Sequence, residues 1–234
     1  MRALIVYQLK HYIRSYRYFP PLLLYIVSIV FIYGIVPNPV MESYSLTSAV
    51  LFLFSAWLGF SYIDSEHEIQ QMIASSHAGN VVKYYLAKIV VGWLLPCLLA
   101  VLTTIYPVLL DKFDRQPDAA EFMVAMSGHL TVSLLGFVIS VLFTSKWVPK
   151  LYMSTGGLLL TMALSIAGQG IERSLPHAWR GLAWLLPPAY KTIAMLSGYE
   201  AANGAEIALG LFLPLFYAFL GAVIFLRRMN RRLF

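Results

Sequence analysis

Six apolar stretches, each close to the ~20 residues that cross ~30 Å of hydrocarbon, occupy positions 19–36, 45–63, 85–110, 122–143, 151–171 and 207–226. Polar and apolar positions do not alternate within them, so they are not the strands of a barrel. A bilayer offers no partner to a bare N–H or C=O, which leaves the α-helix as the spanning structure. No long linker interrupts the series, and positions 1–234 read as one all-α transmembrane domain.

The polar pieces between the spans have patterns of their own. In positions 1–18, Ile5, Leu9, Tyr12, Ile13 and Tyr16 fall on one arc of a 3.6-residue helix and Lys10, Arg14 and Arg17 on the other. This predicts an amphipathic helix lying in the headgroup region of an anionic leaflet, with membrane lipid as its partner, before the chain turns at Pro20-Pro21. The stretch that follows the first span, Pro37-Asn38-Pro39-Val40-Met41-Glu42, lacks a small-x-small cleavage site, so the first span is expected to be retained. Between spans two and three, Ser65 and Glu68 have capping-box spacing and open a helix that carries Ile69, Met72, Ile73 and Ser76 on one face and ends near Gly79-Asn80. Such a short helix, acidic at its start and apolar along one stripe, suits a groove on another protein. Between spans five and six, Trp179, Trp184 and Tyr190 interleave with Pro176, Pro187 and Pro188. This predicts short helices over 172–206 that either cap the bundle from outside or dip into it.

Composition agrees with the pattern. The chain is 59% hydrophobic and 12% charged, with a mean hydropathy of +0.72, which excludes an ordinary soluble domain. The net charge of +6 points to membrane topology and not to nucleic acid. With the N-terminal segment in the cytoplasm, 12 of the 17 Lys and Arg residues fall inside, and 8 of the 11 acids fall outside. The positive-inside rule therefore predicts a multi-pass protein of the plasma or inner membrane with both ends cytoplasmic.

Candidate chemistry within the spans is sparse. His129 and Gln169 are intramembrane polar residues, either pathway groups or side chains bonded to a neighbouring helix. Pro96 is expected to bend the third span. The chain has no G-x-x-x-x-G-K-[ST] loop and no H-E-x-x-H or G-x-S-x-G motif, so ATP hydrolysis by this chain is excluded on that device and no metal site is expected.

Glu66-His67-Glu68, the short helix after it, and Lys88 near the start of the third span resemble the E-R-E…G-K signature of ATP-binding cassette type 2 exporter permeases. Leu175-Pro176-His177-Ala178-Trp179 and Leu185-Leu186-Pro187-Pro188-Ala189-Tyr190 are similar to that family's pattern between spans five and six. The chain departs from it at Gln70-Gln71, where Gly-Thr is usual, around His77, where a Pro is expected, and at Ala87, where Gly is common. The resemblance implies six spans, a coupling helix at 64–80 and short external or re-entrant helices at 172–206. It also implies a separate ATP-binding cassette ATPase subunit holding ATP and Mg, and a second permease copy or a related permease. Glu66, Glu68, Ile69, Met72 and Ile73 would then couple to the ATPase, with Lys88 anchoring the return into the membrane. A self-contained membrane protein, either a secondary carrier or an intramembrane metalloenzyme, is the alternative reading.

Overall fold

The computed structural model describes residues 1–232, without the side chains of His177, Ala178, Arg180, Leu182 and Arg232; expectations for those side chains lie outside the described residues. Among the described residues nine α-helices follow one another: α1 (Arg2–Ser15), α2 (Phe19–Ile32), α3 (Val40–Ile63), α4 (Glu68–Ala78), α5 (Val81–Leu109), α6 (Ala119–Val141), α7 (Leu151–Ser174), α8 (Ala189–Ser197) and α9 (Gly204–Arg232). No strand occurs among the described residues. Five of them, α3, α5, α6, α7 and α9, are long and apolar enough to cross a membrane, and the bent pair α1–α2 makes a sixth if counted as one span.

The first span differs from expectation. The chain turns 76° between α1 and α2, and it does so at Tyr16, whose φ of 54° ends α1 in the left-handed region. Pro20 and Pro21 lie inside the first turn of α2, where a missing N–H costs nothing. α2 stops at Ile32 and not at Val36, which leaves it roughly 21 Å long at 1.5 Å per residue. Residues 37–39 carry two prolines and cannot continue a helix; Asn38 pairs instead with the loop after α5, its N–H donating to Lys112 O at 3.1 Å and its carbonyl accepting from Asp114 N at 2.9 Å.

The α3–α6 pair forms the centre of the bundle, flanked by α5, α8 and α9. α5 continues unbroken past Pro96 and Pro107. It starts four residues earlier than hydropathy suggests because Asn80 Oδ1 accepts the N–H groups of Val82 and Lys83 at 2.7 and 3.3 Å. α6 begins on a reciprocal capping box between Asp118 and Glu121. Prolines cut the stretch before α9 as predicted, into a 3₁₀ helix (His177–Leu185), α8 and a further 3₁₀ turn (Tyr199–Ala201). α8 does not lie across the bundle end. Thr192 Oγ1 donates to Gly210 O at 2.6 Å, Ser45 Oγ donates to Ile193 O at 2.8 Å, and the Tyr190 ring lies on Gly168. These partners sit six residues along α9, five along α3 and six back from the end of α7, so α8 is sunk roughly 9 Å into the bundle.

Close approach at the α3–α6 seam depends on Gly136, where a Cβ would run into the backbone carbonyl of Phe52. Because backbone cannot step aside as a side chain can, Gly136→Ala should destabilise the fold by about 1–3 kcal/mol. Gly170→Ala, in open space within α7, should not destabilise it, since Ala is the better helix former by up to about 1 kcal/mol. Thermal unfolding of the two variants in detergent checks the difference.

Candidate functional site

At the end of the bundle where α1 begins and α9 ends, α4 covers a buried polar hub. Its centre is the Glu66 carboxylate, 3% exposed. Tyr7 Oη of α1 donates to Oε1 at 2.5 Å, Tyr84 Oη of α5 donates to Oε2 in a short hydrogen bond, and Lys88 Nζ lies 3.5 Å from Oε2. The Lys88 ammonium is 1% exposed and stands over the rings of Tyr62 and Tyr84, 5.8 and 5.7 Å from their centroids. A buried charge needs a partner: the carboxylate has hydrogen bonds and an opposite charge, while the Lys88 ammonium has the ion pair with Glu66 and the two tyrosine rings but no hydrogen bond of its own. Burial pushes the Glu66 carboxyl up, but the hydrogen bonds from Tyr7 and Tyr84 and the charges of Lys88 and His11 outweigh it and hold the group below its ordinary value.

The hub explains where α4 begins. Ser65 does not form the expected capping box; its N–H donates to Tyr62 O, extending the end of α3, and its hydroxyl has no hydrogen-bond partner. Since Glu66 is drawn inward, the helix can start only beyond it. His67 becomes the cap, its Nδ1 accepting the Ile69 N–H at 3.4 Å. α4 ends as predicted, at Gly79 with φ 69°.

Around the hub, three elements are fastened to one another. Gln8 Oε1 of α1 accepts from Tyr62 Oη of α3 at 3.2 Å, and Tyr12 meets the Tyr62 ring edge-on at 4.6 Å. α1 therefore turns Gln8 and Tyr12 to the bundle, while Leu9, Ile13 and Tyr16 of the predicted apolar arc are exposed. Asp64 accepts from Thr144 Oγ1 at 2.7 Å, from Ser145 N at 2.6 Å and, through its carbonyl, from Arg17 Nη1 at 3.2 Å. Lys146, in the turn 142–150 between α6 and α7, is lowered from its ordinary pKa by burial, against the pull of Asp64, Glu68 and Glu66.

The sequence-predicted residues thus separate into two groups. Glu66 and Lys88 meet in the interior and are not presented to a partner. Lys88 lies seven residues into α5 and faces the hub. Ile69, Met72 and Ile73 stand on the free side of α4, 62, 57 and 54% exposed, with Glu68 exposed at its start. A groove of about 470 Å³ runs between this side and α1, lined in part by Leu4, Tyr7, Ile73, Ala74 and Lys83. Nothing in the local sequence around Tyr7, Gln71, Tyr84, Tyr85 and Lys146 marks them as site residues; the one signal is that Glu66 and Lys88, each bordering an apolar run, need company.

His129 and Gln169 are not brought together. His129 is fully buried between α3 and α6, its Nε2 3.0 Å from Thr47 Oγ1 and its Nδ1 2.8 Å from Ala125 O. Both ring nitrogens are engaged, so access to it requires parting α3 from α6. Gln169 lines a crevice of about 360 Å³ beside α8 with Lys191, Met195 and Glu206, where Lys191 pairs with Glu172 at 2.9 Å. Among the described residues no three His, Cys, Asp or Glu side chains gather as metal ligands.

No protein family, curated protein or solved structure matches the chain. The fold itself defines a class: an all-helical chain with several helices of membrane-spanning length and polarity, as in a multi-pass membrane protein.

Lys88→Met would leave a buried carboxylate without its counter-charge, and should cost about 3–5 kcal/mol. Adding Glu66→Gln should recover part of that loss, because the double variant buries no charge. A carboxyl held below its unfolded value of 4.5 contributes stability that is present above that pH and lost as pH falls through the folded value. The Glu66→Gln variant should therefore lose less stability than the parent between about pH 5 and pH 3, followed by thermal unfolding in detergent.

Proposed function

We propose that this chain is the permease subunit of an ATP-driven exporter, paired with a second copy or a related permease and moved by a separate ATP-binding cassette subunit. ATP and Mg belong to that partner. One observation carries the reading: the apolar stripe of Ile69, Met72 and Ile73 is left uncovered on α4, while the residues just before and beneath it are bonded to α1, α3 and α5. A helix with a free apolar outer face and a fastened inner face has the build of a handle. Docking would bury the stripe, at about 25 cal/mol for each Å² removed from water. Closure of the ATPase would then bias the bundle between inward- and outward-open states, provided the partner binds the two states unequally. Glu68, at the exposed start of α4, belongs to the docking face; Glu66 and Lys88 transmit the movement. The short external connections suit an amphipathic cargo such as a peptide, a drug or a lipid-like molecule.

The orientation follows the same reading. Arg2, Lys10, Arg14, Arg17, Lys83, Lys150, Arg227, Arg228 and Arg231 are exposed at the α4 end, and Asp111, Asp114, Asp118, Glu200 and Glu206 at the other. This supports a cytoplasmic α4 with both termini on that side of the plasma or inner membrane. In a chain with Cys97→Ala, a membrane-impermeant thiol reagent should label Asp118→Cys in intact cells and Ile73→Cys only after the membrane is opened. Labelling of position 73 from outside would refute the handle.

Affinity purification of the chain should bring an ATP-hydrolysing subunit with it. Ile69→Glu with Met72→Glu should reduce the recovered ATPase activity about tenfold or more, as expected for removing 1.4 kcal/mol of binding, with unchanged thermal unfolding of the chain. If no ATPase accompanies the parent, a self-contained carrier takes the place of this reading.

A further inference from the structure

α4 reaches beyond the Glu66 hub through Gln71, a buried amide on its inner face. Gln71 Nε2 donates to Glu66 O at 2.6 Å, and Gln71 Oε1 accepts from Lys146 Nζ at 2.6 Å and from Tyr85 Oη at 3.3 Å. Lys146 Nζ also donates to Tyr85 Oη at 2.7 Å and stands 5.5 Å from that ring's centroid. Lys146 belongs to the α6–α7 turn, which is held from three further sides. Asp64 takes Thr144 and Ser145, Trp147 packs on Phe225 of α9 at 5.7 Å, and the Arg228 guanidinium covers Trp147 at 4.7 Å.

The path matters because α7 rests mainly on α8 and the 3₁₀ helix at the far end, and hardly on α6. At the near end its position is set by the turn. α4 packs chiefly on α5, so a push on α4 reaches that turn directly only where a side chain of α4 itself meets it. The Gln71–Lys146 bond does this. It is charge-assisted and half-buried, and charge-assisted bonds are short and about twice as strong as neutral ones.

We infer that the Gln71–Lys146 contact is a second coupling link, through which movement of α4 is passed to the α6–α7 turn and so to α7, with Gln71 and Lys146 as positioning residues. This rests on the proposed function, since it needs a motor acting on α4. The Glu66 hub passes movement to α1 and α5; the Gln71 link passes it to the turn. Loss of the link should uncouple the turn while leaving the ATPase docked, because neither residue is on the exposed stripe.

The test uses the complex of chain and co-purified ATPase in membrane vesicles, with Cys97→Ala and Ser145→Cys. Position 145 is exposed, and its bond to Asp64 is made by the backbone N–H, so the substitution preserves it. The readout is the change in thiol labelling rate at position 145 on adding ATP and Mg. The parent should respond; Gln71→Leu and Lys146→Met should each cut the response about fivefold or more while retaining the ATPase and its hydrolysis. Lys146→Arg, which keeps a cationic donor, should restore the response, and thermal unfolding reports whether each variant is folded. An undiminished response in folded Gln71→Leu and Lys146→Met overturns the link and leaves the proposed function standing. Loss of bound ATPase in either variant would also overturn it, by making the pair a docking contact. If Gln71→Leu and Lys146→Met fail to fold, Lys146→Gln takes their place: its amide cannot supply the charge, so an undiminished response overturns the link. A parent that carries an ATPase but shows no response overturns the link alone, and a parent that carries none overturns the proposed function with it.

Discussion

A carboxylate taken out of water has to be answered at once by opposite charge and hydrogen bonds, and Glu66 meets that requirement with groups from separate parts of the chain. Tyr7 comes from α1, Tyr84 and Lys88 from α5. Each of these must arrive in a set rotation and at a set height along its helix. The side of α1 that faces the bundle, the rotation of the first turns of α5 and the residue at which α4 can begin all follow from that single group. Removing one member strands the others, so the hub behaves as a unit. Buried ion pairs are poor sources of net stability when compared with well-packed apolar residues. What this pair supplies is the fixed geometry of several elements relative to one another.

The two ends of the bundle are held together by different means. At the α4 end the ties are polar and long in sequence separation, from Tyr7 to Glu66, Asp64 to Thr144 and Gln71 to Lys146. At the other end α8 is driven between α3, α6, α7 and α9, with Tyr190, Thr192, Met195 and Leu196 buried. The loop ahead of α6 adds a bidentate contact, Arg115 to Glu121 at 2.5 and 2.7 Å. Close packing transmits displacement without choice, whereas a few directed bonds can be made or lost as a set. A bundle whose far end is wedged and whose near end is bolted by separable bonds is suited to pivoting about the wedge. α7 is seated on α8 and tied at its near end through the 142–150 turn.

Under the exporter reading, the handle and the transmission are different residues, although they are adjacent in sequence. Ile69, Met72 and Ile73 face outward and cost free energy while uncovered; Glu66 and Gln71 face inward and are already satisfied. One turn of helix separates a docking surface from an internal linkage. The division follows from α4 being amphipathic in an unusual sense, apolar on its exposed side and polar on its buried side, the reverse of a surface helix on a soluble core.

The sequence alone determined the helical spanning class, the approximate positions of the long helices, the amphipathic character of α1 and the short helix ending at Gly79. These are consequences of local pattern: the length of apolar runs, the 3.6-residue period, and residues such as Asn80 and Gly79 that end or begin helices through their own backbone and side chain. Tertiary structure alone decided that Glu66 and Lys88 face one another, that Gln71 meets Lys146, that α8 sinks into the bundle and that His129 is closed in by Thr47. A sequence shows that a charge borders an apolar run, but not which of several distant tyrosines and lysines will answer it. The answering groups lie 18 to 75 positions away, and only the packing of the helices brings them within bonding distance.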